Sequence, residues 1–166
     1  MEISTIELEK MFYQGPENLE KVRTALAEEF AQVEDGDNTL RSYITDNIHY
    51  ADKLLNERTG CYGVLVRALE IADGALDYYE NLYLEEIRQN AEKNTDEKAK
   101  KPTDSVMKAM AAVKVSVYRR LRNYIRGYCS GCEKSLASLR TSISKCQSEA
   151  YLASKATYRA PEQVTE

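Results

Sequence analysis

The stretch Thr103 to Tyr158, TDSVMKAMAAVKVSVYRRLRNYIRGYCSGCEKSLASLRTSISKCQSEAYLASKATY, decides the fold. Pro102 precedes it. Thr103 offers a capping hydroxyl, and Asp104 puts a negative charge in the first turn, where the helix dipole favours one. No further proline occurs until Pro161. Apolar residues recur at Val106, Met110, Val113, Val117, Leu121, Tyr124, Tyr128, Cys132, Leu136, Leu139, Ile143, Cys146 and Ala150, at a mean spacing just under 3.7. That spacing predicts one long, nearly straight helix with a single apolar stripe.

The same stretch is basic. Lys108, Lys114, Arg119, Arg120, Arg122 and Arg126 fall between Ser105 and Ser130, with no Asp or Glu among them. From Tyr118 to Tyr128 the cations alternate with three tyrosines, Tyr118, Tyr124 and Tyr128. Cations neutralise phosphates, and tyrosine rings stack on unpaired bases, so the run suits single strands. Lys108, Lys114, Tyr118, Arg119, Arg120, Arg122 and Arg126 are therefore the candidate nucleic-acid contacts. Arg119, Arg122 and Arg126 lead because their spacing places them on one helix face. The alternative puts Tyr124 and Tyr128 in the apolar stripe and pairs the arginines with an acidic helix.

Such a helix exists upstream. The stripe Leu40, Ile44, Ile48, Ala51, Leu55, Tyr62, Leu65, Leu69, Ala72, Leu76, Tyr79 and Tyr83 predicts one helix from Asp37 or Asn38 to about Gln89, bent at most at Gly60, Gly63 or Gly74. Residues 1–100 hold 11 Lys or Arg against 22 Asp or Glu, and residues 101–166 hold 12 against 5. An asymmetry of this kind points equally to internal pairing and to a polyanionic partner.

At the start, Ser4-Thr5-Ile6-Glu7 is a capping box for a helix from Thr5 to Tyr13. Gln14-Gly15-Pro16 ends it, and Leu19, Val22, Leu26 and Phe30 give a second helix, Glu17 to Val33, one apolar face. Residues 34–38 read as a polar turn, and residues 90–102, almost without apolar side chains, as a mobile connection. The expected organisation is an all-α chain: short helices over 1–36, a long antiparallel hairpin over 37–158 with its loop at 90–102, and a tail over 159–166. Two long stripes exceed what one thin hairpin covers, so an oligomer is expected.

Several chemistries find little support. Cys129-Ser130-Gly131-Cys132 lacks the second short Cys or His spacing of a structural zinc site, and Cys132 falls on the stripe, so these cysteines read as core residues. His49 has no apparent catalytic partner, and no P-loop, G-x-S-x-G or H-E-x-x-H motif occurs. Asp77, Glu80, Glu85 and Glu86 read as a solvated face. No enzyme activity, cofactor or metal is expected. Met1 to Lys10 is acidic and without an apolar run, and no stretch approaches about 20 apolar residues, so neither a signal peptide nor a membrane span is expected.

Short pieces resemble phage UvsY-type recombination mediators. Leu76-Asp77-Tyr78-Tyr79 closes a long helical region, Lys101-Pro102-Thr103-Asp104-Ser105-Val106 opens the C-terminal helix, and Tyr128-Cys129-Ser130-Gly131-Cys132 resembles the family's Phe-Cys-Ser-Gly-Ala. The likeness covers roughly Leu40 to Ala153. It implies a small helical oligomer that binds single-stranded DNA and helps load a RecA-class recombinase while displacing single-strand-binding protein. The implied setting is the cytoplasm of a phage-infected bacterial cell. Where the family has Lys-x-Arg before Leu-Asp-Tyr-Tyr, this chain has Asp73-Gly74-Ala75, so a DNA contact at that position does not carry over.

Overall fold

A computed structural model describes residues 4–34, 48–93 and 101–158, with the side chains of 48–51 and 156–158 outside the description. All of its regular structure is helical. The elements are α1 (Thr5–Tyr13), a 3₁₀ turn (Pro16–Asn18), α2 (Leu19–Ala25), α3 (27–34), α4 (Ile48–Lys93), α5 (Asp104–Lys114) and α6 (Ser116–Tyr158). The polar turn, its Asp37 or Asn38 cap, Leu40, Ile44, most of the 90–102 connection and the tail lie outside the described residues.

The local signals act as their chemistry dictates. Ser4 Oγ accepts the Glu7 N–H at 3.2 Å while the Ser4 N–H donates to Glu7 Oε2 at 3.2 Å, closing the box that starts α1. Gly15 turns the chain with φ of 115°, a region open to glycine at little cost, and Pro16 opens the 3₁₀ turn. The expected helix from Glu17 to Val33 is thus a 3₁₀ turn followed by α2 and α3, with an irregular joint at Leu26. Its predicted face holds: Leu19, Val22, Leu26 and Phe30 are all buried.

Helix α4 runs unbroken past Gly60, Gly63 and Gly74 and continues to Lys93, beyond the expected end. At 1.5 Å per residue it is about 69 Å long. It packs antiparallel to α5 and α6: Leu54 and Leu55 meet Leu139 and Ile143, Asp73 meets Arg122, and Glu86 meets Lys114. Leu65, Ala68, Ala72, Ala75, Leu76 and Tyr79 face the core from α4. The N-terminal helices lie over the middle of this hairpin. Helix α1 reaches from Arg67, which donates to Thr5 Oγ1, to Tyr79, which donates to the Tyr13 carbonyl at 2.8 Å. Gly74 matters here, because a β-carbon would stand 3.1 Å from Tyr13 Oη. Phe30 and Val33 return along α6, against Tyr124, Tyr128 and Gly131.

The basic segment departs from expectation in two respects. It is not one helix: the Thr103 cap holds, accepting the Val106 N–H, but the helix is interrupted at Val115 between α5 and α6. The stripe is also rotated in its first half. Val106, Met110, Val113, Val117 and Tyr124 are exposed, whereas Ala111, Val115, Tyr118, Ile125 and Cys129 are buried. The buried set is offset by one residue, about 100° around the helix. Leu121 belongs to both sets, and the expected phase resumes at Cys132, Leu136, Leu139 and Ile143.

This phase has a direct test. Ile125→Ala should lower unfolding stability by about 2–5 kcal/mol in urea denaturation, the range for truncating a fully buried isoleucine. Val113→Ser, at a site 72% exposed, should stay within about 0.5 kcal/mol. The opposite ranking would restore the phase expected from the stripe.

Candidate nucleic-acid interface

Rotation of the helix decides where each cation goes. Arg119, Arg122 and Arg126 do share a face, and that face meets the acidic edge of α4. Arg119 lies 3.4 Å from Glu80. Arg122 Nε lies 2.8 Å from Asp73 Oδ1, near enough for an ion pair but misaligned for a hydrogen bond. Arg126 shares Asp73 at 3.5 Å. Lys114 bonds Glu86 at 2.9 Å, and Lys108 lies 2.9 Å from Asp104, which also accepts from Arg88. These side chains are partly exposed, so each pair is worth about 0–1 kcal/mol. Together they nearly neutralise the seam between α4 and the basic helices. A phosphate arriving there must displace a carboxylate.

Tyr118, expected as a stacking platform, is a core side chain. It is 2% exposed and stacks on Tyr79 with centroids 4.4 Å apart. Burial pushes its hydroxyl pKa up. No base can reach its ring.

Arg120 differs from the others. It is exposed and makes no ion pair among the described residues. It lines a groove of about 430 Å³ between α2 and α6 with Leu19, Glu20, Arg23, Val117, Leu121 and Tyr124. Tyr124 is 39% exposed, and the Arg23 guanidinium sits 5.2 Å from its ring centroid. Arg23 is also bonded to Glu20 at 3.2 Å. Tyr124 is held edge-on by Phe30 at 5.1 Å and by a hydroxyl contact of 3.0 Å with Tyr128, which in turn donates to Glu34. The groove therefore offers an aromatic ring with one guanidinium over it, and a second, which makes no ion pair among the described residues, in the same lining. Arg23 gave no sequence signal, because only the packing of α2 on α6 brings it here.

The cysteines sit inside. Cys61, Cys129 and Cys132 are buried, with the Cys61 thiol donating to the Glu29 carbonyl and the Cys132 thiol to the Arg58 carbonyl. Among the described residues no cluster of His, Cys, Asp or Glu could hold a metal, and no helix is long and apolar enough to cross a membrane. No protein-family model, curated protein or solved structure matches the chain.

Burial raises the Cys61 pKa to about 12 and that of Cys129 to about 11, from an ordinary 9.0. A thiol with a raised folded pKa contributes stability that is complete below the unfolded value. That contribution is lost as pH climbs toward the folded one. The urea midpoint should therefore begin to fall near pH 9 and keep falling toward pH 11–12. A Cys61→Ala, Cys129→Ala variant should show a shallower fall between pH 9 and 10, where the tyrosines contribute less. Equal slopes in the two proteins would exclude these two thiols as the cause.

Proposed function

We propose that this chain is a non-enzymatic accessory protein that binds single-stranded DNA and helps load a RecA-class recombinase, displacing single-strand-binding protein. The observation that supports DNA contact is the groove holding Arg120, Arg23 and Tyr124. An exposed ring beside cations is what an unpaired base and its phosphate require, since stacking is indifferent to sequence and the cations release counterions. The groove is open and lies on helices rather than on a loop, which fixes its geometry. The recombinase-loading part rests on the resemblance of Leu76–Tyr79, Lys101–Val106 and Tyr128–Cys132 to UvsY-type mediators. Within this reading Arg120 contacts DNA, while Arg119, Arg122 and Arg126 hold the hairpin together through Glu80 and Asp73.

The second reading is a structural helical protein with no nucleic-acid role. It is favoured by the pairing of Lys114, Arg119, Arg122 and Arg126 with Glu86, Glu80 and Asp73 of α4, which gives these cations of the basic half an internal role.

A salt titration with labelled oligo-dT beside duplex DNA separates the two. An Arg23→Gln, Arg120→Gln variant should flatten the log–log salt slope by about 1.4, at roughly 0.7 per phosphate on a single strand. Tyr124→Ala should weaken binding by about 1–3 kcal/mol with the slope unchanged. Wild-type protein that ignores oligo-dT at low salt establishes the structural reading. Binding that neither variant alters would place the DNA elsewhere.

A further inference from the structure

Tyr124 lines a second hollow, farther along α6 than the groove of Arg120. It has a volume of about 410 Å³ and is bounded by Val33, Asn123, Tyr124, Gly127 and Tyr128. Gly127 leaves it open, since a β-carbon there would meet nothing within 4 Å. Val33 stands at the end toward Gly131, where a β-carbon would lie 3.2 Å from Val33 Cγ1. No charged side chain lines this hollow, in contrast to the groove, where Arg23 and Arg120 stand. The two tyrosine hydroxyls are engaged with one another and with Glu34. Asn123 supplies the remaining polar side chain. Its Oδ1 accepts from Arg122 Nη1 at 3.0 Å, which leaves the amide nitrogen as a donor without a partner among the described residues. Arg122 is in turn held by Asp73, so the direction of this amide is inherited from the seam with α4.

We propose that this hollow takes one base of the single strand, the neighbour of the base in the groove, and that Asn123 and Val33 select thymine there. The proposal rests on the single-strand reading of the groove. Continuity carries the strand across, because Tyr124 belongs to both linings. An uncharged, mostly apolar lining suits a base and gives a phosphate nothing to pair with. Thymine presents a carbonyl acceptor, O4, beside a C5-methyl group. Cytosine presents an amino donor at the same position and no methyl. The Asn123 amide N–H donates to the carbonyl and opposes the amino group. The Val33 methyls meet the thymine methyl. Adenine carries an amino group like cytosine, and guanine shares the carbonyl but has no methyl for Val33.

Fluorescence-anisotropy titrations of the full chain at one low salt concentration test the proposal. The probes are labelled oligo-dT, oligo-deoxyuridine and oligo-dC of equal length, all pyrimidine tracts. Oligo-dT should bind about two- to fourfold more tightly than oligo-deoxyuridine, the value of one buried methyl. Oligo-deoxyuridine should bind about fivefold more tightly than oligo-dC, the value of one hydrogen bond. Asn123→Ala should bring oligo-deoxyuridine and oligo-dC together while keeping oligo-dT ahead of both. Gly127→Leu fills the hollow and should abolish every preference. Its urea midpoint should not fall, because leucine is the better helix former and the site is open. Equal binding of oligo-dT and oligo-dC by the wild type overturns the proposal and leaves the groove reading standing. So does an unchanged preference in Asn123→Ala or Gly127→Leu. Failure of all three oligomers to bind removes the proposal and the groove reading together.

Discussion

The stack of Tyr118 on Tyr79 sets the rest of the molecule. Its rings lie 4.4 Å apart at 23°, and the Tyr79 hydroxyl continues outward to the Tyr13 carbonyl. One residue thus joins α4 to the basic helix on one side and to the end of α1 on the other. An offset aromatic pair adds about 0.5–1.5 kcal/mol beyond its buried area, and the Tyr79 hydroxyl finds in the Tyr13 carbonyl the partner that a buried phenol needs. The larger consequence is rotational. With Tyr118 turned inward, Arg122 falls on the seam with α4, and Val117 and Arg120 turn out. The location of Arg119, Arg120, Arg122 and Arg126 and of the bare valine row follows from that one angle.

Much of the fold was legible in the sequence, and the missed part has a specific cause. The bounds of α1, the Thr103 cap, the buried face of α2 and the two antiparallel long helices were carried by capping hydroxyls and by stripes with one solution. Residues 106–129 have two solutions. One is Val106, Met110, Val113, Val117; the other is Ala111, Val115, Tyr118, Ile125. The first has the larger aliphatic side chains, so periodicity selects it. The second wins because Ala111 lets α5 approach α4 and because Tyr118 finds Tyr79, a contact between residues 39 apart in sequence. Local spacing carries no information about such a partner.

The candidate site was legible to a similar depth. The shared face of Arg119, Arg122 and Arg126 was correct, and so was the alternative that this face meets acids. What the sequence lacked was the identity of those acids: Asp73 and Glu80 sit opposite. Asp73 receives both Arg122 and Arg126, so one position on α4 occupies two cations on α6.

The same pairing gives the charge asymmetry a role that needs no ligand. Acids on α4 and bases on α5 and α6 oppose one another only when the helices run antiparallel in this register. Sliding α6 by one turn, about 5.4 Å, would carry Arg119 away from Glu80 and Arg126 away from Asp73. Each contact is weak, but several together discriminate among registers that a core rich in alanine, at Ala68, Ala72 and Ala75, separates poorly. Small core residues allow close approach and tolerate sliding, and the charged rim removes the tolerance. Arg120 stands outside this arrangement and makes no ion pair among the described residues. Of the six cations between Ser105 and Ser130 it is the one whose position the hairpin does not explain, at the point where the covered and bare halves of one face meet.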